Sequence, residues 1–301
     1  MMETKVVIVK LGGAAITNKK GLCELGPENE VSSLLDKVAH AYQILKAAGH
    51  QLILIHGAGS FGHPQAIQYK LKLGWQEESK KEDERRYFTI INGFSHIRSC
   101  LQLLNYNMIS QLESRHVPVL SLPPIHYVET KNCEESETKE FIKMASQVQR
   151  YLNLGFVPVL HGDAVLDDVR GCTILSGDIM MYQLTKLISN VCRCIFITDV
   201  YGLYPADPKQ TFMNDKNDLI HSIQVDIEEA EHEMIQQDDE TTYDVTGGMK
   251  GKVKWAKKIV WIRQDLDVIL GRWDTVDVFD MMTLKSSKDE KRRCMTVFTR
   301  K

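Results

Sequence analysis

The chain has 301 residues, with 37 Lys and Arg against 40 Asp and Glu, a formal net charge of −3 and 43% hydrophobic residues. This is the composition of a globular protein, and the near-balanced charge leaves no basic footprint for nucleic acid or an anionic membrane, so neither is expected as a partner. Mean hydropathy is −0.24, and no apolar run approaches the roughly 18 residues of a spanning helix.

The segment METKVVIVKLGG runs straight into a strand pattern, without the long apolar stretch or small-residue cleavage site of a signal peptide. The seven cysteines are odd in number and scattered, with no C-x-x-C pair, and there is no N-x-S/T sequon. A disulfide framework or structural zinc site requires tighter pairing. A reducing, cytoplasmic setting is the expectation.

In chain order, Val6–Leu11 reads as a buried strand ending at Gly12-Gly13, and residues 28–48 as a helix stopping at Gly49. Leu52–Ile55 is a second strand running into the glycine loop 57–62. An amphipathic helix is predicted over about 85–115, then a strand Val117–Ser121, a helix near 137–153 and a strand Phe156–Leu160. Residues 163–175 form a predicted hairpin turning near Asp168-Val169-Arg170-Gly171. A helix at 178–190, a strand Cys194–Thr198, helices near 226–237 and 249–263, a strand Asp267–Leu270 and a last strand Met295–Thr299 complete the chain. Strands alternating with helices predict an α/β fold of βαβ units around a largely parallel sheet. Segments 75–86, 129–140 and 285–293 are charge-dense and read as solvated insertions.

Glycines that follow a buried strand let the backbone approach a ligand and aim N–H groups at an anion. Lys10-Leu11-Gly12-Gly13 and Gly57-Ala58-Gly59-Ser60-Phe61-Gly62-His63 are two such junctions. The second fits G-x-G-x-x-G. However, Pro64 follows at once and no acid stands at the end of a following strand, so dinucleotide binding is disfavoured. No segment matches G-x-x-x-x-G-K-[ST]. Asp244–Lys252, with Thr246 as a plausible cap, places glycines and lysines at a helix start, where lysine opposes the helix dipole unless an anion is bound. Thr198–Pro208 combines turn residues, aromatic rings and acids suited to an adenine-ribose cleft. Four such elements in one chain favour a phosphate-handling enzyme.

Together these stretches resemble the amino acid kinase superfamily and, within it, the isopentenyl phosphate kinases. The resemblance rests on KLGGAAITNK (10–19), HGAGSFGH (56–63), GFVPVLHGDAVLD (155–167), ILSGD (174–178), TDVYGLYPADP (198–208) and DVTGGMKGK (244–252). GSFGH is the narrower mark, shared with the related fosfomycin kinases. The resemblance implies an open αβα sandwich that is a single domain over 1–301, with an acceptor lobe at 1–175, a nucleotide lobe at 176–301 and a homodimeric unit. It implies transfer of a phosphoryl group from Mg²⁺-ATP to isopentenyl monophosphate in isoprenoid biosynthesis, with the metal held mainly by ATP rather than by a protein cage.

The resemblance also assigns roles. Lys10, Lys19, His63, Asp178 and Lys252 are the implied catalytic set, Asp178 holding the lysines in place; a helix cap is the alternative for Asp178. Lys20 competes with Lys19, and Lys250 with Lys252. The acceptor phosphate would meet Gly57, Ala58, Gly59, Ser60, Gly62, His63, Gly162 and Asp163, with His63 a clamp rather than a base. The nucleotide would meet Lys10, Gly12, Gly13, Lys19, Asp199, Tyr201, Gly202, Tyr204, Asp207, Gly248 and Lys252. A prenyl pocket is expected from the helix bearing Tyr87, Phe88, Ile91 and Phe94, with Val165 and Ile174 opposite. A kinase for another small phosphate or phosphonate, or a non-catalytic nucleotide sensor on the same fold, are the rival readings.

Overall fold

The computed structural model describes residues 3–75, 83–133, 136–205, 219–225, 248–285 and 294–301. The element order is β1 (Val6–Leu11), α1 (Gly13–Ile16), α2 (Glu28–Ala47), β2 (Gln51–His56), α3 (His63–Gln68), α4 (Glu84–Glu113), β3 (Val119–Ser121), α5 (Ile142–Asn153) and β4 (Val157–His161). It continues with β5 (Asp163–Asp167), β6 (Gly171–Leu175), α6 (Gly177–Leu187), β7 (Val191–Thr198), β8 (Ser222–Val225), α7 (Gly248–Ile262), β9 (Asp267–Arg272), α8 (Val276–Met282) and β10 (Met295–Arg300).

Eight strands form one sheet in the order β3-β4-β2-β1-β7-β9-β10-β8, and β5-β6 is a separate antiparallel hairpin. From β3 to β9 every neighbouring pair is parallel; β10 runs antiparallel to β9, and β8 follows β10. Helices cover both faces, so this is the expected α/β sandwich. The two-residue period of a strand divides β1 between two cores. Val6 and Ile8 pack with residues of α5, α6 and α7, whereas Val7, Val9 and Leu11 pack with α2, α4 and α8. Lys10 shares parity with Val6 and Ile8. The alternation therefore delivers its side chain to the face on which α6 begins.

Most predicted elements stand, and the differences have local causes. The third strand begins at Val119 rather than Val117, because Pro118 has no N–H for a ladder. The predicted helix 137–153 opens as a 3₁₀ turn over Thr138–Phe141 before α5. Helix α6 starts one residue early, capped by the Ser176 hydroxyl on the Ile179 N–H. Asp178 is therefore not its cap. The glycine loop does open a helix, since Pro64 falls in the first turn of α3, where its missing N–H has no intrahelical partner to lose. Helices α1 and α8 and strand β8 lack a strong sequence signal. The predicted helix 226–237, Asp207, Thr246 and most of insertions 75–86 and 285–293 lie outside the described residues.

Asp167 fastens the hairpin. Its carboxylate accepts from the Thr130 hydroxyl at 2.8 Å and from the N–H groups of Asn132 (3.2 Å), Cys133 (2.8 Å), Val169 (3.0 Å) and Arg170 (2.8 Å). Burial works against its charge, but these donors win and hold its acidity below the usual carboxylate range. A depressed folded-state pKa contributes stability above the unfolded value, about 3.9, which is lost as pH falls through the folded value. Asp167→Ala is expected to lower unfolding free energy by about 2 kcal/mol at neutral pH. In urea titrations the gap from wild type should shrink below about pH 4.

Candidate active site

The C-terminal ends of β1, β2, β4 and β7 open onto one cleft of about 810 Å³. Ligands of parallel sheets bind at such strand ends. Lys10, Gly12 and Gly13 line it from the end of β1, Gly57–Ser60, Gly62 and His63 from the end of β2, and Gly162 and Asp163 after β4. Asp178 enters at the start of α6, Asp199, Gly202 and Tyr204 after β7, and Gly248 and Lys252 at the start of α7. The N-termini of α6 and α7 thus face the same space, adding positive potential where an anion would sit.

The two glycine junctions touch. A Cβ at Gly13 would lie 2.5 Å from the Gly59 nitrogen, and one at Gly57 would lie 2.6 Å from the Gly13 nitrogen. Gly59 has φ +49°, and its Cβ would strike the Thr17 hydroxyl. That hydroxyl accepts from the Ser60 N–H at 3.0 Å and donates to the Gly13 carbonyl at 2.9 Å. Glycine is required here by close approach, and the loop is braced from below.

Lys10 is 6% exposed, and its Nζ lies 2.6 Å from Asp178 Oδ1, itself in a residue 2% exposed. The contact is an ion pair without hydrogen-bond alignment, since Asp178 Oδ1 accepts no hydrogen bond. A buried charge is tolerated only when partnered, so Asp178 is what lets a charged lysine occupy this position. Gly177 makes room: a Cβ there would lie 2.7 Å from Lys10 Cε and 3.0 Å from Ile55. Gly177 lies within ILSGD, but sequence reasoning does not mark it as a site residue. Its signal is a glycine between strand and helix with no turn to make.

Lys19 pairs with Asp199 across the cleft mouth. Burial opposes the Asp199 charge, but the Lys19 hydrogen bond and ammonium hold its carboxyl below the usual range. Lys19, not Lys20, lines the cleft, and Lys20 donates its N–H to Asn18 instead. Both Lys250 and Lys252 line it, and Lys252 Nζ donates to the Gly248 carbonyl at 2.9 Å. Tyr201 does not line the cleft; the Arg272 guanidinium stacks on its ring at 5.1 Å.

At the other end His63 opens α3 and lines the cleft. Ser60 is buried, and its hydroxyl bridges the Glu24 backbone, accepting from the N–H at 3.2 Å and donating to the carbonyl at 2.8 Å. Asp163 is fully buried, paired with Arg98 and accepting from the N–H groups of Ala164 (2.9 Å) and Ile125 (3.2 Å). These two side chains brace the wall rather than offer free donors.

The apolar end is built differently from the expectation. Ile174 lines it, but Phe88 is 45% exposed, Ile91 does not reach the cleft, and Val165 is packed in the core beneath. The inward face of α4 is phased through Ile90, Gly93, Ile97, Leu101 and Leu104, and Ile97 and Leu101 line the cleft. The predicted face is turned on the helix axis because Tyr87, Phe88 and Ile91 widen the apolar side of the first turns beyond the buried line through Ile90, Gly93 and Ile97.

Residues 5–263 match the sequence model of the amino acid kinase family, and the chain belongs to that family. It is 31% identical over 255 residues to an isopentenyl phosphate kinase of Methanothermobacter thermautotrophicus, covering 83% of this chain and 85% of the relative. An isopentenyl phosphate kinase of Arabidopsis thaliana is 27% identical over 308 residues, covering 87% of this chain and 86% of that one. Within the family, the chain falls among the isopentenyl phosphate kinases. A solved isopentenyl phosphate kinase structure superposes with TM-score 0.67 at 24% identity, covering 93% of this chain and 97% of that chain, and shares the fold.

Gly177→Ala should displace Lys10 without disturbing the fold, because position 177 is helical and lacks a positive φ. The expected result is a loss of about tenfold to a hundredfold in kcat, with the melting curve close to that of wild type, read by steady-state phosphoryl transfer and circular dichroism.

Proposed function

We infer that this chain transfers the γ-phosphoryl group of ATP to isopentenyl monophosphate, giving ADP and isopentenyl diphosphate. The observation that carries the reading is a single cleft in which the buried Lys10–Asp178 pair stands between two glycine-walled ends. One end is flanked by Lys19, Lys252 and the turn after β7, the other by the loop after β2 and an apolar wall.

Phosphoryl transfer requires positioning and charge neutralisation more than covalent help from the protein. A phosphate monoester has a second pKa near 6 and is largely dianionic at neutral pH, so it needs no general base. Repulsion between two anions is then the main barrier. Lys10 would bridge the transferring group, with Asp178 fixing its position. Lys19 and Lys252 would hold the nucleotide phosphates beside Gly12, Gly13 and Gly248, and His63 would clamp the acceptor phosphate beside Gly57, Ala58, Gly59 and Gly62. The turn bearing Asp199, Gly202 and Tyr204 would face the nucleoside. Residues 1–175 would then act as the acceptor lobe and 176–301 as the nucleotide lobe.

The acceptor phosphate has a defined place in this reading. A Cβ at Gly162 would lie 3.7 Å from the Ala58 nitrogen and 3.8 Å from the Gly177 nitrogen. The point above Gly162 is thus flanked by two backbone nitrogens, with the Leu175 carbonyl oxygen also at 3.8 Å. The isoprenoid tail would run toward Ile97, Leu101 and Ile174. Asp178 and Asp199 are each engaged by a lysine, so the Mg²⁺ that accompanies ATP would be held by phosphate oxygens and water, where it screens the γ-phosphoryl charge. No described helix is long and apolar enough to cross a membrane; a cytoplasmic homodimer is part of the proposal.

Lys10→Ala and His63→Ala are each expected to cut phosphoryl transfer by about a hundredfold or more while the protein stays folded; full turnover in both would remove the site assignment. In a panel of isopentenyl, dimethylallyl and short alkyl phosphates with fosfomycin, isopentenyl phosphate should give the highest kcat/KM. A clear preference for fosfomycin would replace the reading with a phosphonate kinase. Gly162→Ala fits sterically, yet should raise the KM for isopentenyl phosphate about tenfold with the KM for ATP unchanged.

A further inference from the structure

Strands β2 and β4 both end in histidine, and the two residues are register partners, His56 opposite His161. They are 1% and 0% exposed, and their rings stack with centroids 5.3 Å apart and planes 24° from parallel. None of the roles above uses them. Each points Nδ1 at the carbonyl of the glycine that follows it: His56 Nδ1 lies 3.1 Å from the Gly57 oxygen and His161 Nδ1 lies 3.0 Å from the Gly162 oxygen. Both glycines line the cleft.

Burial pushes both imidazoles below the ordinary histidine value, His56 to about 3, with the neighbouring ring adding to the effect on His56. Each is then neutral and carries one ring N–H. A carbonyl oxygen can only accept, so in both rings the proton belongs on Nδ1. His56 Nε2 lies 3.2 Å from Asn105 Oδ1, and Asn105 Nδ2 donates to Ser121 Oγ at 2.6 Å. Both ring nitrogens of His56 thus face an oxygen as the amide stands; the Nδ1 proton goes with that amide turned over, its N–H toward Nε2 and its oxygen accepting from the Ser121 hydroxyl. His161 Nε2 has no hydrogen-bond partner, which a bare acceptor tolerates better than an orphaned N–H. Asp163 Oδ1 is 3.9 Å from His161 Nδ1, beyond hydrogen-bond reach of the proton.

The consequence follows from peptide planarity. In a trans peptide the C=O of one residue and the N–H of the next point in opposite directions. Drawing the Gly57 carbonyl down onto His56 turns the Ala58 N–H up toward the point above Gly162. Held on the buried His161 ring, the Gly162 carbonyl is likewise turned away from the cleft that Gly162 lines. We propose that His56 and His161 are positioning residues that, through their Nδ1–H groups, turn two carbonyls away from the acceptor phosphate and one backbone N–H toward it. The proposal rests on the reading that the loop after β2 holds that phosphate. It gives the two residues different parts with the same outcome: losing His56 loses a donor to the phosphate, and losing His161 leaves a carbonyl free to oppose it.

Asparagine places its N–H near the Nδ1 position and glutamine places its N–H near Nε2, so the two substitutions separate the donors. His56→Asn should keep the KM for isopentenyl phosphate within about threefold of wild type, while His56→Gln and His56→Leu raise it at least about tenfold, with the KM for ATP unchanged in all three. Equal effects of Asn and Gln, or an equal rise in both KM values, would overturn the proposal. Nitrogen-15 histidine spectra of the wild-type protein give a second test that no folding defect can obscure. Two buried rings protonated at Nδ1 are expected, and protonation of either at Nε2 overturns it. Wild-type turnover of isopentenyl phosphate tests the underlying reading separately: if it is absent that reading fails, whatever the tautomers.

Discussion

The turn after β1 and the loop after β2 leave neighbouring strands and meet in the cleft. Gly13 stands against Gly59, and Gly57 against Gly13, at distances that admit no Cβ on Gly13 or Gly57. Because β1 and β2 are parallel and in register up to Leu11 opposite His56, both turns leave the sheet at the same level. Two backbone segments able to face anions therefore share one wall. Close backbone approach of this kind is the property that distinguishes glycine from every other residue.

Around that seam the charges are arranged in pairs. Lys10 meets Asp178 in the buried interior and Lys19 meets Asp199 at the mouth, so the cleft carries cations without carrying a large uncompensated charge. Strand alternation explains the first pair: Lys10 follows Val6 and Ile8 on the face that α6 covers, and Gly177 leaves the side chain a path to Asp178. The helix N-termini and the lysines then act on the same region from two sides. In the proposed reaction these fixed dipoles and charges need no reorganisation when two phosphates are brought together, which is where such sites gain most of their effect. The net charge of −3 gives no sign of this, because what matters is where a few lysines converge.

Much of the fold and a good part of the cleft were legible in the sequence. Buried β-branched runs ending in glycine marked β1 and β2, the hairpin turned where Asp168–Gly171 indicated, and nearly all the proposed phosphate-facing residues line one cleft. What escaped had physical reasons. A 30-residue helix with apolar side chains on several faces does not reveal its phase, so its sequence points to Phe88 and Ile91 where Ile97 and Leu101 line the cleft. Ser60 and Asp163 sit in the expected motifs, but their polar atoms are used to brace neighbouring backbone. Tyr201 is adjacent to cleft residues yet its ring goes under Arg272. The stacked pair His56 and His161 is 105 residues apart in sequence and becomes visible only when β2 and β4 are paired.

In the proposed reaction acceptor phosphate and ATP share one cleft, with the acceptor seated above Gly162. A structure determined with isopentenyl phosphate and a non-hydrolysable ATP analogue tests it most directly. The expected result is acceptor phosphate oxygens within hydrogen-bond distance of the Ala58 N–H and His63, with Lys10 between acceptor and γ-phosphate and the tail against Ile97 and Leu101. An acceptor phosphate bound away from the loop after β2, or a γ-phosphate out of reach of Lys10, would contradict the account.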